Sequence, residues 1–248
     1  MRRRHPVRRA YASVEPPDRY ACGAPRALCR ACPSLSGVPP NEFATTLVVL
    51  DLTGIFVFAV TGALVAVRKN LDLFAALVLA GVTGLGGGFV RDVLIGATPP
   101  AALADWRYLL VPLAAGLLTF AFHPTIQRLE RVVTLFDSFG LALFCVTGAL
   151  KAVDYGLGPL PAALLGMVTG IGGGILRDVL AGRVPVIFEG VIYATPALAG
   201  AAVAVVLDRA DLPLALVAAA GFGVCLGWRL LATVRGWQAP LPKGPANV

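Results

Sequence analysis

The chain has 248 residues, of which 57% are hydrophobic and 14% charged, with a formal net charge of +7 and a mean hydropathy of +0.79. So little charge cannot clothe a water-soluble domain of this length, so the composition excludes that class and indicates a chain whose solvent is largely lipid. The positive balance does not indicate nucleic acid: eight of the 21 basic residues are arginines of the first 40 positions, and others mark the ends of apolar runs, so membrane lipid headgroups are the expected partners.

Residues 1–43 are rich in Arg and Pro and lack apolar periodicity, which predicts a disordered basic tail. No apolar segment follows the basic start before residue 44, which argues against a cleaved signal; a start site assigned too far upstream is the alternative. Three of the five cysteines, Cys22, Cys29 and Cys32, lie in this tail. Cys29 and Cys32 have a zinc-like spacing, but His5 is the one residue that could complete a fourth ligand, so no metal is expected.

Apolar stretches of about 20 residues then follow at 45–67, 71–96, 107–123, 132–153, 160–182, 190–207 and 212–232. They predict an all-α membrane protein with seven transmembrane helices. Trp106 and Tyr108 stand at the start of the third as interfacial anchors. Cys145 and Cys225 fall inside spans, where a thiol acts as a small apolar residue. Residues 233–248 form a short terminal tail.

Sliding the chain along itself by 86 positions without a gap pairs Asp51 with Asp137, Phe58 with Phe144, and "VTGAL" at 60–64 with "VTGAL" at 146–150. Residues 51–99 match 25 of 49 positions in this register, where chance gives roughly one in ten in so biased a composition. The chain is duplicated, with a first three-span repeat over 44–126, a second over 132–207, and a seventh span at 212–232 outside both. Three is odd, so the second copy enters the bilayer from the opposite side and the repeats are inverted. Arg68, Lys69, Arg128, Arg131, Arg183, Arg229, Arg235 and Lys243 gather on the C-terminal side, against Arg107, Lys151 and Arg209 on the other. That excess places the C-terminus in the cytoplasm and the N-terminus outside, in a multi-pass plasma-membrane protein.

The duplicated phrase is "TGLGGGFVRDVLIG" at 83–96 and "TGIGGGILRDVLAG" at 169–182. Each glycine costs about 1 kcal/mol of helix propensity relative to Ala, so Gly86, Gly87 and Gly88, and Gly172, Gly173 and Gly174, predict kinks in spans two and five. Backbone groups freed by a kink cannot face lipid and must line protein or an aqueous path. There the carbonyls, with the hydroxyls of Thr83 and Thr169, suit a small cation. The alternative is that the glycines only let helices approach closely. That reading is preferred for Gly62 and Gly148, but not for the triplets.

Asp51, Arg91, Asp92, Asp137, Arg177 and Asp178 are costly in hydrocarbon unless paired or hydrated. Two roles stand for them: internal salt bridges that hold the halves together, or a gating network. Lys151, which replaces Val65 in the repeat, and Glu189 are further charges within reach of an aqueous path. The chain has two histidines and no H-E-x-x-H or paired catalytic Ser and His, so an enzyme is not expected, nor a cofactor.

On its two "TGxGGGxxRDxLxG" phrases, set in inverted repeats and followed by a seventh span, the chain resembles the bacterial relatives of the trimeric intracellular cation (TRIC) channels. That family is also catalogued as a glycine transporter domain. The resemblance covers roughly residues 44–235. It implies a homotrimer in which each subunit carries its own pore, bounded by the glycine kinks and conducting potassium and sodium. Inverted repeats and broken helices fit alternating access equally well, so a carrier for a small neutral amino acid such as glycine is the competing expectation.

Overall fold

The computed structural model describes residues 40–122 and 126–238, with side chains from 45–122 and 130–238. The tail up to residue 39, with Cys22, Cys29 and Cys32, and residues 239–248 lie outside the described residues. Eight α-helices follow in order: α1 (Pro40–Arg68), α2 (Leu73–Leu94), α3 (Ala101–Ala104), α4 (Trp106–Ala121), α5 (Ile126–Asp154), α6 (Pro159–Leu180), α7 (Ala194–Arg209) and α8 (Leu214–Arg235). A 3-10 turn at Val186–Phe188 precedes α7.

Their boundaries follow from local chemistry. The Asp72 carboxylate accepts the Ala75 amide at 2.8 Å and caps α2. Pro159 opens α6 where its missing N–H costs nothing. Gly236, at φ 63°, closes α8 in the left-handed conformation that glycine adopts without strain. α1 begins at Pro40, so four residues assigned by sequence to the tail are helical.

Among the described residues, five helices are long and apolar enough to cross a membrane: α1, α2, α5, α6 and α8. α4 and α7 have 16 residues each, which gives about 24 Å at 1.5 Å per residue, short of the ~30 Å hydrocarbon core. Of the seven expected spans, five coincide with helices of spanning length, and the other two coincide with these 16-residue helices. The short ones occupy corresponding places, each following an irregular connection that leaves the glycine-bearing helix.

α1 packs against α5 through a reciprocal contact. The rings of Phe58 and Phe144 stack with centroids 5.4 Å apart, and both are fully buried. Each ring also lies over a glycine of the opposite helix: a β-carbon on Gly140 would come within 2.8 Å of Phe58, and one on Gly54 within 3.3 Å of Phe144. These four residues are the pairs that the sequence duplication relates.

The glycine-bearing helices behave differently from the sequence expectation. α2 and α6 are helical without interruption through both triplets. The triplets mark the place where these two helices meet. A β-carbon on Gly87 would overlap the Thr169 carbonyl oxygen, one on Gly173 would overlap that of Thr83, and one on Gly172 would press to 3.3 Å from the Gly87 Cα. The lost helix propensity is therefore offset by a close backbone contact, of the kind small residues make between helices in membranes.

Candidate functional site

The α2–α6 contact puts the Thr83 and Thr169 carbonyls at the centre of the molecule, each facing a glycine of the opposite helix. The two hydroxyls turn elsewhere. Thr83 Oγ1 donates to the Leu79 carbonyl at 2.5 Å and Thr169 Oγ1 to that of Leu165 at 2.6 Å, both inside their own helices. They lie against Gly62 and Gly148, where a β-carbon would stand 2.6 and 2.7 Å from them. Gly62 and Gly148 thus serve close approach, as the sequence suggests. Within the triplets, Gly86 and Gly174 face the side chains of Leu176 and Tyr193, while Gly88 has open space up to an Arg91 nitrogen at 3.9 Å.

One turn beyond the contact, each helix delivers its Arg-Asp pair to a buried cluster of four charges. In the first cluster, Arg91 engages Asp51 of α1 with both terminal nitrogens, at 3.0 and 2.9 Å, while its Nε donates to Asp92 at 2.8 Å. Lys151 reaches across from α5 to the same Asp92 oxygen at 2.8 Å. The other Asp92 oxygen accepts the Ala101 amide at 3.0 Å, at the start of α3. In the second cluster, Arg177 donates to Asp137 of α5 at 2.8 Å, to Thr61 of α1 at 3.0 Å and to Asp178 at 2.9 Å. Arg183 adds a second cation to Asp178 at 2.8 Å, and the Val186 amide closes the set at 3.1 Å.

Each cluster holds two carboxylates and two cations and is formally neutral. That answers the cost of placing charge here: Arg91 and Arg177 are only 1% exposed, and an arginine so buried is tolerated because its guanidinium is paired with two carboxylates. All six predicted Asp and Arg residues and Lys151 are thus gathered, although Lys151 joins the first cluster rather than that of its own repeat.

The surroundings of the two clusters differ. The first borders a gap of only about 10 Å³, roofed by Tyr108 and Phe144, barely the room of one water. The second opens into a cavity of about 550 Å³ whose charged wall is formed by Arg68, Lys69, Glu130, Asp137, Arg177, Arg183, Glu189 and Arg229. Arg229 is 3% exposed, donates to the Ile192 carbonyl at 2.9 Å and lies 5.0 Å over the Tyr193 ring. Lys69 reaches the Ala181 carbonyl from the end of α1. Among the described residues, no group of three or more His, Cys, Asp or Glu could hold a metal ion.

Sequence reasoning did not single out Thr61 or Tyr193, took Tyr108 for an interfacial anchor although it is buried beside the first cluster, and counted Arg183 and Arg229 as end-of-span charges. A signal existed for Thr61, which lies within the duplicated "VTGAL". None existed for the amides of Ala101 and Val186, because a backbone donor has no sequence signature.

A family model described as glycine transporter matches residues 48–124 and 134–209, one match for each half. A membrane protein of Deinococcus radiodurans, named UPF0126 membrane protein, is 52% identical over 154 residues, which is 61% of this chain and 72% of that one. The inner membrane protein YadS of Escherichia coli K12, also of the UPF0126 group, is 38% identical over 195 residues, covering 78% of this chain and 93% of its own. Among solved structures, the TRIC trimeric intracellular cation channel orthologue from Rhodobacter sphaeroides is 42% identical. It superposes with a TM-score of 0.74 over 78% of this chain and all of that one. A prokaryotic TRIC channel is 29% identical, with a TM-score of 0.73. Five spanning-length apolar helices and an inner-membrane relative make this a multi-pass protein of the plasma membrane. With both halves matched and relatives covered over most of their length, the chain belongs to the glycine transporter family of membrane proteins, which includes the UPF0126 group and the TRIC channels.

Proposed function

We propose that the protein is a potassium- and sodium-conducting channel of the inner membrane, a homotrimer with one pore in each subunit. The observation that carries this is the pair of formally neutral charge clusters flanking the α2–α6 contact, the second of which opens into the large cavity. An arginine paired within a formally neutral cluster repels a passing monovalent cation less than an unpaired one would. Likeness to a cation channel at 42% identity supports it. In this reading the path runs past Gly86–Gly88 and Gly172–Gly174 and continues into the cavity beside Arg177 and Asp137. α4 and α7 complete seven spans in two inverted repeats, with the N-terminus outside and the C-terminus cytoplasmic. The reciprocal contacts Phe58–Gly140 and Phe144–Gly54 support that symmetry. The aspartates hold Arg91 and Arg177 out of the path, so the clusters gate as well as brace. No step of this function needs catalysis or a cofactor.

The test is reconstitution of the purified trimer. Unitary currents in symmetric potassium, carried equally well by sodium, are the expected result. Saturable glycine counterflow without unitary currents would instead establish the carrier reading, which rests on the family's description. For the gating role, current per assembled trimer should fall in Asp92→Asn and be kept or raised in Arg91→Gln; equal and unchanged values refute it.

A further inference from the structure

Away from the charge clusters, α5, α7 and α8 meet at a point that the permeation reading leaves unused. Cys145 of α5 and Cys225 of α8 are both fully buried and both reduced. They converge on Gly200 of α7: a β-carbon there would stand 2.6 Å from the Cys225 Cβ and 3.2 Å from the Cys145 Sγ. Two atoms of the cysteine pair thus lie within 3.2 Å of one point. The Cys225 Cβ and the Cys145 Sγ therefore lie at most 5.8 Å apart, and the two thiols are within hydrogen-bonding reach of each other. The crossing is tight on its far side too, since a β-carbon on Gly221 would meet the Gly200 carbonyl and the Val146 side chain, each at 2.9 Å.

The opening nearest the pair is apolar. An apolar groove of about 360 Å³ between α1, α5 and α8 is walled by Leu143, Val146, Ala218 and Phe222, residues flanking the two cysteines along their helices. Water-borne charged reagents have no route to thiols so placed, because reactivity follows exposure of the thiolate. A small uncharged reagent that dissolves in apolar surroundings is the chemistry such a site would take.

We infer that Cys145 and Cys225 form a dithiol modification site, which a membrane-soluble two-electron oxidant closes into a disulfide tying α5 to α8. In the reaction each thiol gives up its proton, an S–S bond forms, and the two electrons and two protons pass to the oxidant. With an azo oxidant the N=N bond becomes a hydrazine. The link fixes the spacing of the helix that carries Asp137 and the helix that carries Arg229, two walls of the large cavity.

The test uses the full-length chain in membranes with C22S, C29S and C32S, so that Cys145 and Cys225 are the thiols left. Before treatment, denaturation in the presence of a polyethylene-glycol maleimide should give two adducts per chain. After treatment with diamide, a membrane-permeant azo oxidant, both adducts should disappear, with the chain still monomeric on a non-reducing denaturing gel and dithiothreitol restoring both. A charged methanethiosulfonate applied to the folded protein should leave both adducts in place. In the same chain carrying Cys225→Ala, the one remaining adduct should survive diamide. Persistence of both adducts after diamide overturns the inference, as does a disulfide-linked dimer band. Loss of the single adduct in the Cys225→Ala chain also overturns it, because oxidation then needs no partner.

Discussion

Thr61 and Thr147 occupy equivalent places in two copies of one pentapeptide, yet their hydroxyls have different fates. Thr61 donates to the Phe58 carbonyl at 2.7 Å and accepts from Arg177, whereas the Thr147 hydroxyl is buried with no hydrogen-bond partner. The arginines opposite are oriented differently: Arg177 donates from one terminal nitrogen to both Thr61 and Asp137, whereas Arg91 turns both terminal nitrogens to Asp51. Thr61→Val should therefore lower the thermal midpoint in detergent, at a cost of about 1–3 kcal/mol for the orphaned donor, while Thr147→Val should be neutral or stabilising. Tryptophan fluorescence melts of the two variants check this, and equal destabilisation would contradict it. The charges themselves are less forgiving. Arg91→Gln leaves Asp51 buried without its cation and should cost about 3–5 kcal/mol, part of which Asp51→Asn in the same chain should restore. A double-mutant cycle read by the same melts measures that recovery.

The two glycine-rich helices are held together by what their side chains lack. Gly87→Ala and Gly173→Ala each place a methyl group into a carbonyl of the opposite helix, so each should destabilise by roughly 1–3 kcal/mol, the usual cost of overpacking. Gly81→Ala, on the same α2 but with nothing within 4 Å of its added carbon, should be harmless or slightly stabilising. Size-exclusion chromatography after a heat step, comparing surviving oligomer, reads this out. The duplication, the spanning helices and the six paired Asp and Arg residues were legible in the sequence because each carries a pattern: identity at a fixed offset, apolar length, or charge where lipid forbids it. The contact between α2 and α6 was not, and kinks were expected in its place. A run of glycines lowers helix propensity whether the helix bends or is pressed against another, and nothing in the run says which face meets a neighbour. α3 escaped notice for a related reason, since four residues carry no periodicity. Yet its first amide is what satisfies the second Asp92 oxygen.

At the scale of the molecule, the proposed orientation follows from basic residues near the helix ends. A green fluorescent protein fused after Arg235 should fluoresce, and alkaline phosphatase at the same point should be inactive; the reverse pattern contradicts a cytoplasmic C-terminus. The reciprocity of the central contacts has a consequence in terms of descent and assembly. Gly87 meets Thr169 and Gly173 meets Thr83, so the surface each half presents is the one it receives, the self-complementarity of an isologous dimer interface. None of these contacting residues belongs to the stretch of sequence that joins the halves, residues 122–126. Severed there and co-expressed, residues 1–122 and 123–248 should find each other in the membrane and co-purify. The covalent chain would then be a later convenience laid over an association that two separate polypeptides could already make.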